Sequence, residues 1–550
     1  MAEIDVSEIL RAAIEPERKR ARLEQPEQNG NGAAVMPSLS TGARQEEILA
    51  ALEDDSAQAQ IVDEALVKKL TGQLEKKQQK NREMRIKHGD DPKKFMDSEI
   101  ELDTGVQEMH VIATNPEFYG LLVELGAIQI FVQLLAHENG DIVGATLNLL
   151  QELTDVDILN ESSEGADSLV DALLSARIVE CIVSGFAALN EANKDDADAL
   201  HNGLNIFENI LEFRPEFSDD CVTQGLFQWL LKRATQRGTF DGNKMYASEL
   251  LALLLQTNES AREELTKKID GMELLLRALA AYKRHDPGSL DETEHMENLF
   301  DALCSSLLYS PNRKNFLEGE GLQLMNLMLR ERKQSRESAL KVLDHATTGP
   351  EGQENCAKFI EILGLRTLFP LFLRTPTKVK RKDTTPNEHE EHVCAILAAL
   401  MRSCDEDARQ RIMQKFVEHE HEKMDRAVEL FLKYRERVDK FLARRKREQA
   451  NSEEEIDNDR EYFDLLDGGL YTLQNITLLL ADICAHTNSA RQRAIKLFNM
   501  KTKQEILSKH LIPVLSKYAE NLGEQADEER NRVDLFIARL NAAENAERQQ

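Results

Sequence analysis

The sequence of 550 residues is poor in aromatic side chains, which make up 5% of it, and Trp229 is its single tryptophan. Aliphatic residues must therefore supply the core, as they do in helical repeat proteins. Basic residues are in deficit, because 69 Lys and Arg face 98 Asp and Glu and leave a formal net charge of −29. A broad nucleic-acid-binding surface needs a stripe of positive charge, so this balance argues against direct nucleic-acid binding and favours basic partners.

Cysteines are few, and long apolar runs are missing. An odd number of scattered thiols is typical of free cysteines in a reducing compartment rather than of a disulfide framework. No run of about 18 apolar residues predicts a membrane span, and the N-terminus lacks the apolar stretch of a secretory signal. The seven cysteines are Cys181, Cys221, Cys304, Cys356, Cys394, Cys404 and Cys484.

A turn followed by a leucine-rich helix recurs along the chain. Its clearest copy is EGEGLQLMNLML at residues 318–329. Turns of this type are anchored at positions 126, 177, 225, 271, 321 and 364, which are 43 to 51 residues apart. Armadillo and HEAT repeats have a period of roughly 40–47 residues, and stacked repeats bury the apolar faces that one repeat leaves open. The spacing therefore predicts an all-α, armadillo/HEAT-type right-handed superhelical solenoid.

Composition shifts divide the chain into six predicted segments. Proline, glycine and poor periodicity favour a disordered N-terminal tail, and charge runs favour an insertion and a C-terminal tail. A helical block before the first repeat would cap the open end of the array. The segments are 1–45 (disordered tail), 46–124 (N-terminal helical cap), 125–435 (repeats), 436–460 (charged insertion), 461–521 (last repeat and C-terminal helices) and 522–550 (charged tail).

Three short basic runs stand out in this acidic chain. The first contains Arg18, Lys19, Arg20 and Arg22 within the proline-containing tail, where an exposed basic peptide predicts a nuclear-import signal recognised by importin. The run at 378–382 favours a solvated loop over a second import signal or a phosphate contact. The run at 444–447 meets an acidic stretch and favours a flexible insertion, which leaves its role open.

Catalytic and cofactor signatures are missing from the sequence. It contains neither a phosphate-binding glycine loop nor a nucleophile elbow, and we predict neither an enzyme nor a cofactor. His389, Glu390, Glu391 and His392, with Cys394 and Cys404, most resemble a metal site. Their spacing on a helix spreads the ligands over different faces, whereas zinc needs tetrahedral convergence, so we expect no metal.

Asparagine and acidic residues recur at similar positions of the helix that follows each turn helix. In a solenoid, such residues line one face, where amides hold an extended peptide and carboxylates pair with its lysines and arginines. A solvated helix face is the alternative for each single residue, and the groove could also be occupied by the chain's own basic runs. The candidates are Asn148, Glu152, Asn205, Glu208, Glu212, Asn298, Asp301 and Asp344.

Longer stretches carry a resemblance to one family. These include PKKFMDSE at 92–99, QWLLKR at 228–233, GEGLQLMNLMLR at 319–330 and EHEEHVC at 388–394. From about residue 66 to about 521 the chain resembles the beta-catenin-like family of nuclear armadillo-repeat proteins.

The resemblance implies a non-enzymatic nuclear scaffold of pre-mRNA splicing, associated with the nineteen complex of the spliceosome. It implies binding of basic, import-signal-like segments of splicing proteins, including the cell-division-cycle-five-like subunit. In vertebrates the family also contacts activation-induced deaminase, and the sequence leaves open whether this chain does. The alternative function is that of an import adaptor-like carrier of basic cargo, although the sequence lacks the tryptophan array of an importin groove.

Overall fold

A computed structural model describes residues 62–267, 270–376, 385–449, 458–503, 507–523 and 526–548. All regular structure within these ranges is helical, which confirms the predicted all-α class. The chain divides into two compact units, with the division between residues 220 and 221. The predicted disordered tail at 1–45, with its import signal, lies outside the described residues, as does the whole basic run at 378–382.

The N-terminal unit consists of helices that come in groups of short, intermediate and long members. Two long antiparallel helices precede the first group, at the position predicted for the cap. The helices are α1 (Glu64–Lys87), α2 (Met96–Ala113), α3 (Tyr119–Glu124), α4 (Ala127–Leu135), α5 (Gly140–Leu153), α6 (Val156–Leu159), α7 (Ser163–Ser175), α8 (Ile178–Gly185) and α9 (Lys194–Phe213). The division between the units falls within α10 (Ser218–Thr223).

The C-terminal unit continues the same grouping and then ends in longer helices. Its first four groups are built from α11 (Leu226–Thr235), α12 (Gly242–Thr257), α13 (Glu259–Lys267), α14 (Gly271–Leu279), α15 (Leu290–Ser306), α16 (Ser310–Glu318), α17 (Gly321–Glu331), α18 (Ser335–Thr347), α19 (Gln353–Glu361), α20 (Leu365–Leu373) and α21 (Pro386–Ser403). The remaining helices are α22 (Glu406–Gln449), α23 (Asn458–Leu465), α24 (Tyr471–His486), α25 (Asn488–Thr502), α26 (Ser508–Glu520) and α27 (Asp527–Arg548).

A left-handed residue separates the first and second helices of most groups, at or one residue before the turns predicted from sequence. Gly126 and Gly225 have φ of 77° and 100°, and Glu320 has φ of 61° directly before Gly321. A Cβ at Gly321 would collide with the ring of Phe316 on the preceding helix. Glycine is therefore needed at position 321 for close packing against Phe316. The left-handed conformation itself is adopted by the preceding residue, Glu320.

The third helices of successive groups pack side by side and carry much of the core. In the N-terminal unit α5 packs against α2 and α9, and in the C-terminal unit α12, α15, α18, α21, α24 and α27 pack in succession. Leu147, Leu299 and Leu343 on these helices are completely buried. Burying a leucine side chain stabilises a fold by about 1.5–3 kcal/mol, so each third helix is held by its neighbours rather than by its own propensity.

Residues 436–449, the described part of the predicted charged insertion at 436–460, continue helix α22. The apolar stripe formed by Phe431, Tyr434 and Val438 is buried, and it continues at helical spacing beneath the charged surface. A non-helical break at residues 418–421 divides α22 into two helical parts. His419, Glu420 and His421 are all left-handed, with φ of 50°, 54° and 67°.

The predicted charged tail at 522–550 is largely helical where the structure describes it. Residues Asp527–Arg548 form helix α27, which packs against α24 and α26. Val533, Phe536 and Leu540 have at most 1% of their surface exposed. Three buried apolar residues at i, i+3 and i+7 form the face by which this highly charged helix docks.

Within the described ranges, no single helix has the length and apolar character to cross a bilayer. One pair of helical segments, Pro116–Glu124 and Ala127–Leu135, passes the test of length and composition together but is bent by 83°. Tyr119, Phe131 and Leu134 of this pair are buried inside the protein.

Candidate functional site: a polar layer on the third helices

In the N-terminal unit, the third helices bring five of the eight predicted groove residues together. Asn148 and Glu152 lie on α5, and Asn205, Glu208 and Glu212 lie on the adjacent α9. Spacings of three and four residues place each set on one face of its helix. Because α5 and α9 pack against each other, the two sets belong to neighbouring helices of one surface.

Hydrogen bonds tie this surface to the helices on both sides of α5. The Asn202 side-chain Nδ2 donates to Asn148 Oδ1 at 2.8 Å, which joins α9 to α5. The His110 Nδ1 donates to Glu152 Oε2 at 2.7 Å, which joins α2 to α5. Sequence reasoning missed both partners, although Asn202 lies one repeat, 54 residues, after Asn148.

The N-terminal unit's polar surface is strongly acidic. Helices α5 and α9 together carry seven carboxylates and a single lysine, Lys194. Glu152 and Glu212 are exposed, and Asn148, Asn205 and Glu208 are half-buried. A surface with this excess of negative charge attracts lysine and arginine side chains, while half-buried amides offer hydrogen bonds to a peptide backbone.

In the C-terminal unit, the other three candidates contact side chains of the next or the preceding third helix. Asn298 on α15 donates to the Ser248 hydroxyl of α12 at 3.4 Å, and that hydroxyl also accepts from His295 Nδ1 at 3.0 Å. Asp301 on α15 accepts from Lys341 Nζ of α18 at 2.9 Å. These contacts connect neighbouring third helices of this unit through their polar side chains. We call each such connection a rung.

Asp344 on α18 is the most enclosed of the predicted groove residues. It is 9% exposed, and its carboxylate accepts from His392 Nδ1 of α21 at 2.9 Å. The Thr348 hydroxyl donates to its second oxygen at 3.1 Å. An incoming lysine would therefore have to displace an internal partner, so Asp344 is placed for joining α18 to α21.

The pKa values of three histidines in this unit are shifted by burial and by the charges around them. Burial lowers the pKa of His392, but the hydrogen bond and the charge of Asp344 outweigh burial, so that the pKa is raised above its ordinary value. Burial and the charge of Lys244 lower the pKa of His295 to about 4. Burial, with the charges of Lys341 and His392, lowers the pKa of His345 well below its ordinary value.

The residues that most resembled a metal site point to separate partners. His389 Nδ1 contacts Glu337 at 2.7 Å, and its Nε2 donates to the main-chain oxygen of Leu371 at 3.2 Å. Glu391 accepts from the Thr472 hydroxyl at 3.0 Å. Among the described residues, no cluster of three or more His, Cys, Asp or Glu side chains is arranged to hold a metal ion.

The other members of that group are held just as separately. Glu390 is buried and binds Arg426 and Lys433 of α22 at 2.9 and 2.6 Å. Cys394 is buried, and burial raises the pKa of Cys404 to about 11, so both thiols are held in their neutral form.

Groups of three helices whose long members pack side by side and share a polar layer define the armadillo type of helical repeat protein. Proteins of this kind are non-catalytic scaffolds that bind partners. The chain belongs to the family described as Catenin-beta-like, Arm-motif containing nuclear, whose model matches residues 46–515. This confirms the resemblance predicted from the sequence.

Individual relatives agree with the family assignment. The chain is 50% identical to Beta-catenin-like protein 1 of Homo sapiens over 470 residues, which cover 84% of this chain and 83% of that protein. It is 31% identical to the Beta-catenin-like protein 1 homolog of Schizosaccharomyces pombe over 462 residues, covering 83% and 79%. Among solved structures, SYS-1 matches with a TM-score of 0.49 at 10% identity and covers 85% of this chain and 84% of its own.

Proposed function

We propose that this chain is a non-enzymatic nuclear scaffold of pre-mRNA splicing that binds basic, import-signal-like segments of splicing proteins. The family is described as nuclear and Arm-motif containing, which supports both the scaffold and its location. The proposed partners are proteins of the nineteen complex, among them the cell-division-cycle-five-like subunit. Importin would recognise Arg18, Lys19, Arg20 and Arg22.

The observation that carries the peptide-binding proposal is the acidic surface of α5 and α9. Its carboxylates outnumber its lysines by seven to one, and Glu152 and Glu212 are exposed to solvent. A basic peptide lying across the two helices brings its cations to these carboxylates, and Asn205 offers its amide to the peptide backbone. Asp344 of the C-terminal unit is a poorer candidate, because it is 9% exposed and contacts its partner His392, whereas Glu152 and Glu212 lie at the exposed surface.

The alternative, an import adaptor-like carrier of basic cargo, has less support. An importin-type groove holds its cargo between tryptophans repeated on successive third helices. Trp229 is the single tryptophan of the chain, and it lies on α11, a second helix. A basic segment bound here would therefore rest on carboxylates and amides rather than in indole pockets.

Binding is measured by fluorescence anisotropy with a labelled basic peptide from the cell-division-cycle-five-like subunit. The test variant carries Glu152→Gln, Glu208→Gln and Glu212→Gln. The matched control carries Glu117→Gln, Glu124→Gln and Glu164→Gln, which remove the same charge from exposed positions of the same unit. We expect affinity to fall about tenfold or more in the test variant, since each carboxylate lost removes a charge-assisted hydrogen bond.

The control variant should bind within about twofold of the wild type, because charges farther than a Debye length of about 8 Å are screened at physiological salt. Equal losses of peptide affinity in the two variants would mean that the net charge of the protein, and not these three carboxylates, determines binding. Unchanged affinity in the test variant would move peptide binding to another surface.

A further inference from the structure

The basic run at 444–447, which the proposed function leaves unused, contributes to a cavity in the C-terminal unit. The cavity has a volume of about 660 Å³ and is lined by Arg437, Lys440, Phe441, Arg444, Arg445, Asp464, Asp467 and Gly468. Its volume lies within the range of about 300–1,000 Å³ that is usual for ligand sites. Four cations against two carboxylates make it locally positive in a chain whose net charge is −29.

The cationic wall of this cavity is one face of helix α22. Arg437, Lys440, Phe441 and Arg444 follow one another at i, i+3, i+4 and i+7, which aligns them along the helix. The guanidinium groups of Arg444 and Arg445 lie 5.3 and 5.8 Å from the centre of the Phe441 ring. Stacking on an aromatic ring restricts arginine side chains, so the donors of this wall are partly preorganised.

The opposite wall is shaped to let α22 approach closely. Residues Leu466–Leu470 form a turn of π-helix, and Gly469 has φ of 109°. A Cβ on Gly468 would lie 3.1 Å from the Phe441 ring, and one on Gly469 would lie 3.1 Å from the ring of Tyr434. The two glycines therefore leave room for the aromatic side chains and fix the width of the cavity. Turns of this kind are frequent at functional sites.

The ion pairs at the cavity leave its cations able to accept a ligand. Arg445 pairs with Asp464, and Arg437 donates to the main-chain oxygen of Asp467 at 3.4 Å. Lys440 pairs with Glu436, but both side chains are more than 60% exposed, so this pair contributes little and is easily exchanged. A phosphate dianion would add charge-assisted hydrogen bonds from Arg437 and Lys440, which are stronger than the exposed pair and the long contact that these two cations make now.

We propose that this cavity is a recognition site for a phosphorylated serine or threonine within a peptide segment of a partner protein. Arginine forks match the geometry of a phosphate, and two or three cations suffice to neutralise its charge of about −1.5 to −2. Asp464 and Asp467 would accept hydrogen bonds from the main-chain N–H groups of the bound peptide.

A nucleic-acid strand fits the same features less well. The cavity holds about one peptide side chain and its neighbours, whereas a strand needs a longer track of cations along its phosphates. Asp464 and Asp467 in the wall would repel such a strand. The Phe441 ring already carries two guanidinium groups and packs near Gly468, so it is a poor platform for a base.

The test uses the full chain and a fluorescein-labelled peptide in which one phosphoserine is flanked by glycine and glutamate. The same peptide with plain serine and a short oligouridylate are the comparison probes. The binding variant is Arg437→Gln with Arg444→Gln. The control is Arg435→Gln, which removes a charge from the same helix outside the cavity. Circular dichroism melts establish that all three proteins fold.

We expect the phosphoserine peptide to bind at least about tenfold more tightly than the serine peptide, and the double variant to lose that preference. The Arg435→Gln protein should keep it, and the double variant should keep wild-type affinity for the basic peptide of the proposed function. Equal binding of the two peptides, an equal loss in the control, or preferential binding of the oligouridylate would each overturn the proposal.

Discussion

The third helices of the two units use their polar residues differently. On α5 and α9 of the N-terminal unit, Glu152 and Glu212 face solvent in a surface with one lysine. In the C-terminal unit, Asp301, Asp344 and Asp482 face cations or histidines of neighbouring helices. The carboxylates Glu152 and Glu212 thus stand at an exposed surface of the N-terminal unit, whereas Asp344 and Asp482 are enclosed between helices of the C-terminal unit.

Burial explains why the two sets have different consequences. A carboxylate that is buried and paired is strongly destabilising to remove, since its partner is left as an uncompensated charge. A carboxylate at the surface contributes less than about 1 kcal/mol through any ion pair it makes. Substitutions in the two units should therefore affect different observables, with stability changing in one and partner affinity in the other.

The largest effect is expected at Asp482, which is completely buried on α24. Its carboxylate accepts from Arg409 of α22 and from Arg532 of α27, the latter at 3.3 Å. Asp482→Ala removes the buried carboxylate shared by the two guanidinium groups, which keep only their longer pairs with Glu406 and Glu529 at 3.8 and 3.5 Å, and should destabilise the C-terminal unit by about 3–5 kcal/mol. Urea denaturation followed by circular dichroism measures this.

The matched control is Asp198→Ala, which removes an exposed carboxylate from α9 of the N-terminal unit. It should change stability by no more than about 0.5 kcal/mol. If Asp482→Ala lowers the free energy of unfolding by no more than this control does, the buried carboxylate does not stabilise the packing of α24 against its neighbours.

A smaller effect concerns pH and His295, whose pKa burial lowers to about 4. The unfolded chain protonates this group near pH 6.5 while the folded chain does not, so stability present above pH 6.5 is lost as pH falls towards 4. At pH 5 the loss is about 2 kcal/mol. His295→Asn should flatten the fall in melting temperature between pH 7 and pH 5, and an unchanged slope would contradict the assignment.

The pair of Asp344 and His392 has the opposite dependence on pH. Because the pKa of His392 is raised, the pair's contribution is complete below about pH 6.5 and is lost as pH rises through the folded-state pKa. Asp344→Asn should lower the pKa of His392, measured by NMR titration, and cost about 1 kcal/mol at pH 6. The variant Asp301→Asn serves as control and should leave that titration in place.

The smallest change in stability is expected on α5. Glu152→Gln weakens the hydrogen bond with His110 at an exposed position and should alter the free energy of unfolding by less than about 1 kcal/mol. A loss comparable to that of Asp482→Ala would remove the contrast between the units, because Glu152 would then be a structural connection too.

The fold was largely predictable because its turns have a local cause. Gly126 and Gly225 adopt left-handed conformations that few other residues tolerate, and so they mark the start of second helices in the sequence itself. The rungs between third helices were not predicted. His392 and Lys341 become visible as partners of Asp344 and Asp301 only when helices 48 and 40 residues apart are packed together.

The segments predicted as a charged insertion and a charged tail share one feature. In α22 and α27 about half of the positions are charged, and composition alone indicates a solvated insertion or tail. Burial is decided by a few positions at helical spacing, such as Phe431 and Tyr434 in α22 or Val533 and Phe536 in α27. A pattern count along the helix face detects these, whereas a count of charges over the segment does not.

Helix α27 has a practical consequence for anyone who shortens this chain. The family match ends at residue 515, and a protein trimmed there would lose Arg532 together with the apolar contacts of Phe536 and Leu540. The carboxylate of Asp482, and the side of α24 that α27 now covers, would then be exposed to water. The boundary of sequence similarity is therefore not the boundary of the folding unit, and expression clones should extend through residue 548.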